Sequence, residues 1–220
     1  MVFIIVPAYN EEEAIGRVVR DLFQQGFQNV VVIDDGSIDE TGALARSAGA
    51  TVLRHSINRG QGAALQTGNQ YALESGAEIV VHFDGDGQLN AKDIALAINR
   101  LNTEKLDIIL GSRFLDSRTH MPWSKRHILL PISRWINFVF TGLQLSDVHN
   151  GFRILSRSAL KAIVITQDGM AHNTEIVAQI KIHNLTFAEH PVEVRYYEYG
   201  QGVRGGLKIL SDFLFGHFVN

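Results

Sequence analysis

The chain has 220 residues, 45% of them apolar and 20% charged, with a formal net charge of −3. That balance fits one well-buried α/β domain and excludes a disordered chain, and the negative total leaves no global pull toward nucleic acid or anionic lipid, so any basic site is local. Cysteine is absent, which excludes a disulfide framework, a catalytic thiolate and cysteine-bound zinc, and suits a reducing cytoplasm.

The opening run Val2–Val6 is apolar, too short for a signal-peptide core and not preceded by basic residues, so it predicts a buried strand. Glu11–Gln25 predicts a helix with Ile15, Val18, Val19 and Leu22 on one face. Then follow a strand at Val30–Ile33, a helix at about Asp39–Ala48, a short strand at Thr51–Leu53 and a helix at Gln61–Ser75. A strand at Ile79–Phe83, a helix at Ala91–Leu101 and a strand at Ile108–Leu110 complete the first half. The strands are continuous apolar runs rather than alternating ones, which marks a mostly parallel sheet with helices on both faces. The alternation of strand and helix predicts a doubly wound, Rossmann-like α/β fold.

The second half is less regular. It predicts helices at about Ser124–Thr141, Ser158–Val164 and His172–His183, and strands at Phe187–Glu189 and Val192–Tyr197. No repeat or linker interrupts the chain, so 1–220 reads as a single domain. The segments 117–146 and 205–220 are candidate membrane-facing helices, but no run reaches the roughly 20 apolar residues of a spanning helix.

Ligands of doubly wound sheets sit at the carboxyl ends of the strands, and the polar residues gather there. Asp84-Gly85-Asp86 follows the fourth strand. Two carboxylates one residue apart can share a hard cation, Mg2+ or Mn2+, with Gln88 as a further oxygen ligand. Gly85 removes side-chain bulk where a diphosphate has to approach. Asp and Gly also form ordinary turns, but the place at a strand end favours metal binding. Asp34-Asp35 follows the second strand and offers acceptors for a base edge or ribose hydroxyls. Ser37, Asp39 and Thr41 read mainly as capping residues of the next helix, and Asn10 as the cap of the helix from Glu11. Tyr9 can stack on a base.

Gly60-Gln61-Gly62 before a helix has the look of a dinucleotide fingerprint, but the third glycine position is Leu65. A tight turn and helix start is the better reading. Neither a G-x-S-x-G element nor a phosphate-binding G-x-x-x-x-G-K-[ST] loop occurs. The segment Ser117–Ser146 contains no Asp or Glu but holds Arg118, Lys125, Arg126, Arg134, Trp123 and Trp135. That mixture suits a membrane interface and equally an amphipathic helix packed on the sheet.

Taken in order, Pro7-Ala8-Tyr9-Asn10-Glu11, Asp34-Asp35-Gly36-Ser37, Asn58-Arg59-Gly60-Gln61-Gly62, Asp84-Gly85-Asp86-Gly87-Gln88, Gly111-Ser112-Arg113 and Asn150-Gly151-Phe152-Arg153 resemble family 2 glycosyltransferases of the GT-A fold. The nearest branch resembles the dolichyl-phosphate mannose synthases and bacterial polyprenyl-phosphate relatives. The resemblance implies that Pro7, Tyr9, Glu11, Asp34 and Asp35 contact the nucleotide, and that Asp84, Asp86 and Gln88 hold metal and diphosphate. It implies that Arg113 and Arg153 face the reacting phosphates, that Glu175 falls near the acceptor side, and that Arg195 and Arg204 close over the donor. Three departures stand out: Leu89-Asn90 where the family often has proline, Asn150 where it has serine, and Arg204 where its late loop carries lysine.

The expectation is an inverting, metal-dependent transfer of a sugar from a nucleotide diphosphate donor to a polyprenyl phosphate. Arg113 and Arg126 would meet that phosphate in a protein lying peripherally on the cytoplasmic face of a membrane, with no nucleic acid involved. Two alternatives stay open. One is a saccharide or other hydroxyl acceptor, with Glu175 or Asp147 as base. The other is nucleotidyl transfer.

Overall fold

A computed structural model describes residues 1–115, 138, 142–147 and 150–195. Seven strands, β1 (Val2–Ala8), β2 (Asn29–Asp34), β3 (Thr51–Arg54), β4 (Ile79–His82), β5 (Ile108–Ser112), β6 (Arg153–Ser156) and β7 (Phe187–Pro191), form one sheet in the order β3-β2-β1-β4-β6-β5-β7. Only β6 runs antiparallel to its neighbours, β4 and β5; the other pairs are parallel.

Strand residues alternate between two cores. Ile4, Val6, Val30, Val32 and Val81 face one side, while Phe3, Ile5, Val31, Ile33 and Val80 face the other. Helices α1 (Ile15–Gln24) and α4 (Lys92–Thr103) cover the first core. Helices α3 (Gln61–Glu74), α5 (Arg157–Ala162) and α6 (His172–Ile182) cover the second. The short α2 (Thr41–Ser47) follows β2. Ile15, Val18, Val19 and Leu22 of α1 are all buried, each contributing about 1.5–3 kcal/mol by leaving water. Burial on both faces explains why these strands read as unbroken apolar runs.

Several expectations need correction, and one strand was not foreseen. The first helix begins at Ile15 rather than Glu11, because Asn10 has φ 55 and the next residues turn before the helix. The strand β6 escaped notice because its four residues open on an arginine. Of the strand expected at Val192–Tyr197, residues 192–195 show one antiparallel bridge, Leu89 to Val194, and Tyr196 and Tyr197 lie outside the described residues. The candidate membrane-facing helix 117–146 lies outside the described residues except at 138 and 142–146. There Gly142, at φ 69, closes a turn on the Phe138 carbonyl, so 142–146 is not helical. The candidate helix 205–220 lies wholly outside them. Among the described residues, no helix is long and apolar enough to cross a membrane.

Candidate active site

The loops after β1 and β2 clasp one another. Asn10 N donates to Ser37 Oγ at 3.0 Å, Ile38 N to Asn10 Oδ1 at 3.0 Å, Glu11 N to Thr41 Oγ1 at 2.7 Å and Glu12 N to Asp39 Oδ2 at 3.2 Å. Asn10, Ser37 and Thr41 therefore join two loops instead of capping their own helices. Asp39 stands one residue before the N-cap, Glu40, and accepts from Thr41 N at 3.0 Å.

The two carboxylates after β2 part company. Asp34 is 0% exposed, accepts from Ser37 N at 2.9 Å and packs beneath the start of α2. It does not line the pocket described next, because its carboxylate is enclosed beneath that helix. Asp35 does line it, and also accepts from Arg59 N at 3.0 Å, Gly60 N at 2.7 Å and His55 Nδ1 at 2.6 Å. It therefore shapes the Asn58–Gly60 turn as well as facing the cavity.

That pocket, of about 380 Å3, opens at the carboxyl ends of the strands. It brings together Pro7, Tyr9, Glu11, Asp35, Asp84, Gly85 and Asp86 from the residues expected, and adds Asn58, Gly60 and Gln61. Tyr9 is 44% exposed and lines the pocket. Gly85 lies where a Cβ would stand 3.0 Å from Pro7 O, so the Asp-Gly-Asp turn is pressed onto the β1 end.

Asp84 is the most constrained of these. Gln61 Nε2 donates to its Oδ1 at 3.0 Å, and a Cβ on Gly151 would lie 2.1 Å from its Oδ2, so only glycine leaves room for this carboxylate. Burial, then the Asp86 charge, push its pKa up to about 6 against the pull of Arg153, Gln61 and Arg113. Burial likewise raises Asp86, opposed by the amide of Gln88, which donates to its Oδ1 at 2.9 Å. Glu11 is pushed up to about 7 by burial and then by Asp86, Asp39 and Asp84. Negative charge is thus crowded into one pocket, a fit for a divalent cation that would relieve it. Among the described residues no group of three or more His, Asp or Glu closes round a metal. Asp84 and Asp86 match the mode in which one or two carboxylates share Mg2+ with substrate phosphates. The third expected ligand, Gln88, stands half-buried at the end of this turn, and its carbonyl accepts from Arg195 N at 2.8 Å.

The expected arginines are differently placed. Arg113 is engaged by Asp147, which is 4% exposed: Nε to Oδ2 at 2.6 Å, Nη2 to Oδ1 at 2.7 Å. Arg153 is 2% exposed, donates through Nη2 to Asn173 Oδ1, and lies behind Asp84 rather than on the open rim. Burial lowers its pKa to about 10 even though Asp84 and Asp147 pull it up, so it is a cation at neutral pH. Its partner in register across β4–β6 is His82, fully buried and held neutral by burial and by the charges of Arg153 and His172. Arg195 pairs with Glu193 at 3.0 Å beside the Gln88 backbone. Glu175 accepts from Thr166 and Gln167. Arg126 and Arg204, with Trp123 and Trp135, lie outside the described residues.

Sequence reasoning named Gln61 only as part of a turn, and missed its bond to Asp84. The available signal was an amide side chain between two glycines at a helix start. Those glycines have a local reason. Gly60 has φ 108, and Cβ atoms at Gly60 and Gly62 would lie 2.3 Å from Asp168 O and 2.0 Å from Gln167 O. Gly62 N donates to Asp168 O at 2.8 Å, so the start of α3 is occupied by the protein's own backbone. This disposes of the dinucleotide fingerprint.

A mostly parallel sheet with an Asp-Gly-Asp turn at its carboxyl rim, beside a pocket flanked by the ends of β1, β2 and β4, defines the GT-A class of glycosyltransferases. The chain belongs to glycosyl transferase family 2, whose model matches residues 3–164. Among its relatives, an uncharacterised protein of Methanocaldococcus jannaschii is 36% identical, over 97% of this chain and 90% of that one. The UDP-N-acetylglucosamine–dolichyl-phosphate N-acetylglucosaminyltransferase of Methanococcus voltae is 31% identical, over 97% and 95%. The fold is shared with glucosyl-3-phosphoglycerate synthase from Mycobacterium tuberculosis, solved with Mn2+, UDP and glucosyl-3-phosphoglycerate. That match has a TM-score of 0.72 at 18% identity and covers 98% of this chain and 79% of that one.

Proposed function

We propose that the chain transfers a sugar, with inversion, from a nucleotide diphosphate sugar to a polyprenyl phosphate of the dolichyl type. The observation that carries the acceptor class is the commitment of both carboxylates that a hydroxyl acceptor would need as base. Asp147 is locked in its two-point pair with Arg113, and Glu175 is turned onto the backbone of Thr166 and Gln167. A phosphate monoester needs no such base, because its second pKa is about 6 and it is mostly dianionic at pH 7. The activities of the Methanococcus voltae relative and of a polyprenol monophosphomannose synthase from Mycolicibacterium smegmatis, 25% identical over 94% of this chain, support the same reading.

In this reading the acceptor's phosphate oxygen bonds to the anomeric carbon as the bond to the nucleoside diphosphate breaks, the electron pair leaving with the diphosphate. A cation, Mg2+ or Mn2+, held by Asp84 and Asp86 would neutralise charge on that leaving group. Gln61 and Gly151 orient Asp84, while Asp35 and the Asn58–Gly60 turn shape the wall that receives the nucleoside, with Pro7, Tyr9 and Glu11 beside it. The bilayer is met at its cytoplasmic surface through the acid-free segment 117–146, where basic residues contribute about 1 kcal/mol each on an anionic leaflet.

The test is incubation with UDP-linked and GDP-linked sugars, Mn2+ and a short-chain polyprenyl phosphate, with products resolved by mass spectrometry. A glycosyl phospholipid and free nucleoside diphosphate are expected. Pyrophosphate release would make the protein a nucleotidyltransferase, and transfer only to hydroxyl acceptors would overturn the lipid assignment.

A further inference from the structure

In the loop between α5 and α6, Gln179 and Gln66 hold Val164 and Ile165, and Glu175 holds the next two residues. Glu175 lies in the first turn of α6, and its carboxylate accepts from Thr166 N at 3.0 Å, from Thr166 Oγ1 and from Gln167 N at 3.0 Å. The next residue, Asp168, presents its carbonyl to Gly62 N at 2.8 Å, and its carboxylate stands 3.7 Å from Arg59. Gly60 and Gly62 bracket Gln61, whose amide reaches Asp84 at 3.0 Å. A continuous set of bonds therefore runs from Glu175, through the 166–168 backbone and the start of α3, to the Asp-Gly-Asp turn. It reaches the pocket lining at Gly60, Gln61 and Asp84.

Seating of this loop is demanding. The carbonyls of Gln167 and Asp168 occupy the space that side chains at positions 62 and 60 would need. An anionic acceptor satisfies all three donors at once, since a carboxylate has no N–H to turn against them. A glutamine here would offer one oxygen and place an N–H against an amide donor.

We propose that Glu175 is a positioning residue of the donor site, a strut that sets Gln61 and through it Asp84, rather than a base acting on the acceptor. The proposal rests on the reading of Asp84 as a ligand of metal and diphosphate. Residues of this kind, which orient a ligand without touching the metal, typically change affinity or activity by about 10–100-fold when altered.

The experiment uses the full chain and three variants, Glu175→Gln, Thr166→Val and Gln61→Ala. Binding of UDP in saturating Mn2+ is read by calorimetry, turnover at saturating donor by product release, and the exchange rate of the Gly62 amide by NMR. Glu175→Gln is expected to weaken UDP–Mn2+ binding by about tenfold, leave saturated turnover within about threefold and accelerate Gly62 exchange. Thr166→Val, which keeps the backbone bonds, is expected to produce a smaller change in the same direction. Adding Gln61→Ala to Glu175→Gln is expected to cost little more than either alone, as expected for residues in one bonded network. Loss of saturated turnover with UDP affinity unchanged would make Glu175 a catalytic base and overturn the proposal. So would full additivity of the two substitutions, or unchanged Gly62 exchange. If the unaltered chain binds neither UDP nor GDP with Mn2+, the donor reading fails instead, and Gly62 exchange still reports whether the strut exists.

Discussion

Replacing Asp84 by Asn should stabilise the metal-free protein while abolishing transfer. The carboxyl has its pKa raised from 3.8 to about 6. As pH climbs past 3.8 the unfolded chain releases this proton while the folded chain keeps it, so folding stability falls across the interval from about 4 to 6 and the deficit is complete above it. At about 1.4 kcal/mol per tenfold in proton affinity, the ceiling at pH 7.5 is roughly 3 kcal/mol. Water reaches part of the group and its repulsion is shared with Asp86 and Glu11, so about 1.5 kcal/mol is the expected gain. For a chain of this size that is about 3–6 °C in Tm. Asparagine keeps an oxygen for Gln61 and fits against Gly151, so little else changes. Scanning calorimetry in EDTA should show the gain at pH 7.5 and its shrinkage to about a third near pH 4.5. Added Mn2+ with UDP should raise the Tm of the unaltered protein and leave the variant where it was. A variant no more stable than its parent at pH 7.5, or one whose gain ignores pH, would refute the argument that carboxylate crowding marks a cation site.

Asp86→Asn is expected to remove transfer with the fold intact; near-normal turnover at controlled metal concentration would take Asp86 out of the site. Asp35→Ala should weaken UDP binding in calorimetry and also lower Tm, because the amides of Arg59 and Gly60 lose their acceptor at about 1–3 kcal/mol per unsatisfied buried group. Gly151→Ala, which drives a methyl into Asp84, should reduce donor affinity by tenfold or more, checked by the same titration with UDP and Mn2+. Arg126→Ala should slow transfer to polyprenyl phosphate and spare slow donor hydrolysis, and sedimentation with anionic vesicles should fall as salt rises.

The parallel half of the fold was readable because its strands are buried on both faces and its helices carry one apolar stripe, so period and length agree. The place of the Asp-Gly-Asp turn, Asp35 and Tyr9 in one pocket was readable because carboxylates and an aromatic ring immediately after a buried strand have few structural uses. Asp34 was misplaced because two adjacent carboxylates look alike in one dimension, whereas the clasp with Ser37 and the start of α2 turns one inward. Arg113, Arg153 and Glu175 share a different failing. Composition reveals a charge but not its partner, and Asp147, Asn173 and Thr166 lie 34, 20 and 9 residues away.

The reversed direction of β6 has a consequence for how this scaffold can diversify. β5 and β6 are antiparallel neighbours, Ile109 opposite Ile154, so the stretch 113–152 leaves the sheet at one end and returns at that same end. It joins adjacent antiparallel strands, and Leu145 and Phe152 within it belong to the two cores. The donor pocket is built almost entirely from what precedes it: Pro7 to Asp86. Exchanging only 116–141 therefore keeps Asp147, Gly151 and the buried Phe152 in place, and with them the strand order and the Asp84 side of the pocket, while changing the chain that links β5 to β6. A chimera carrying this stretch from a relative with another acceptor should keep its nucleotide preference and change what it glycosylates.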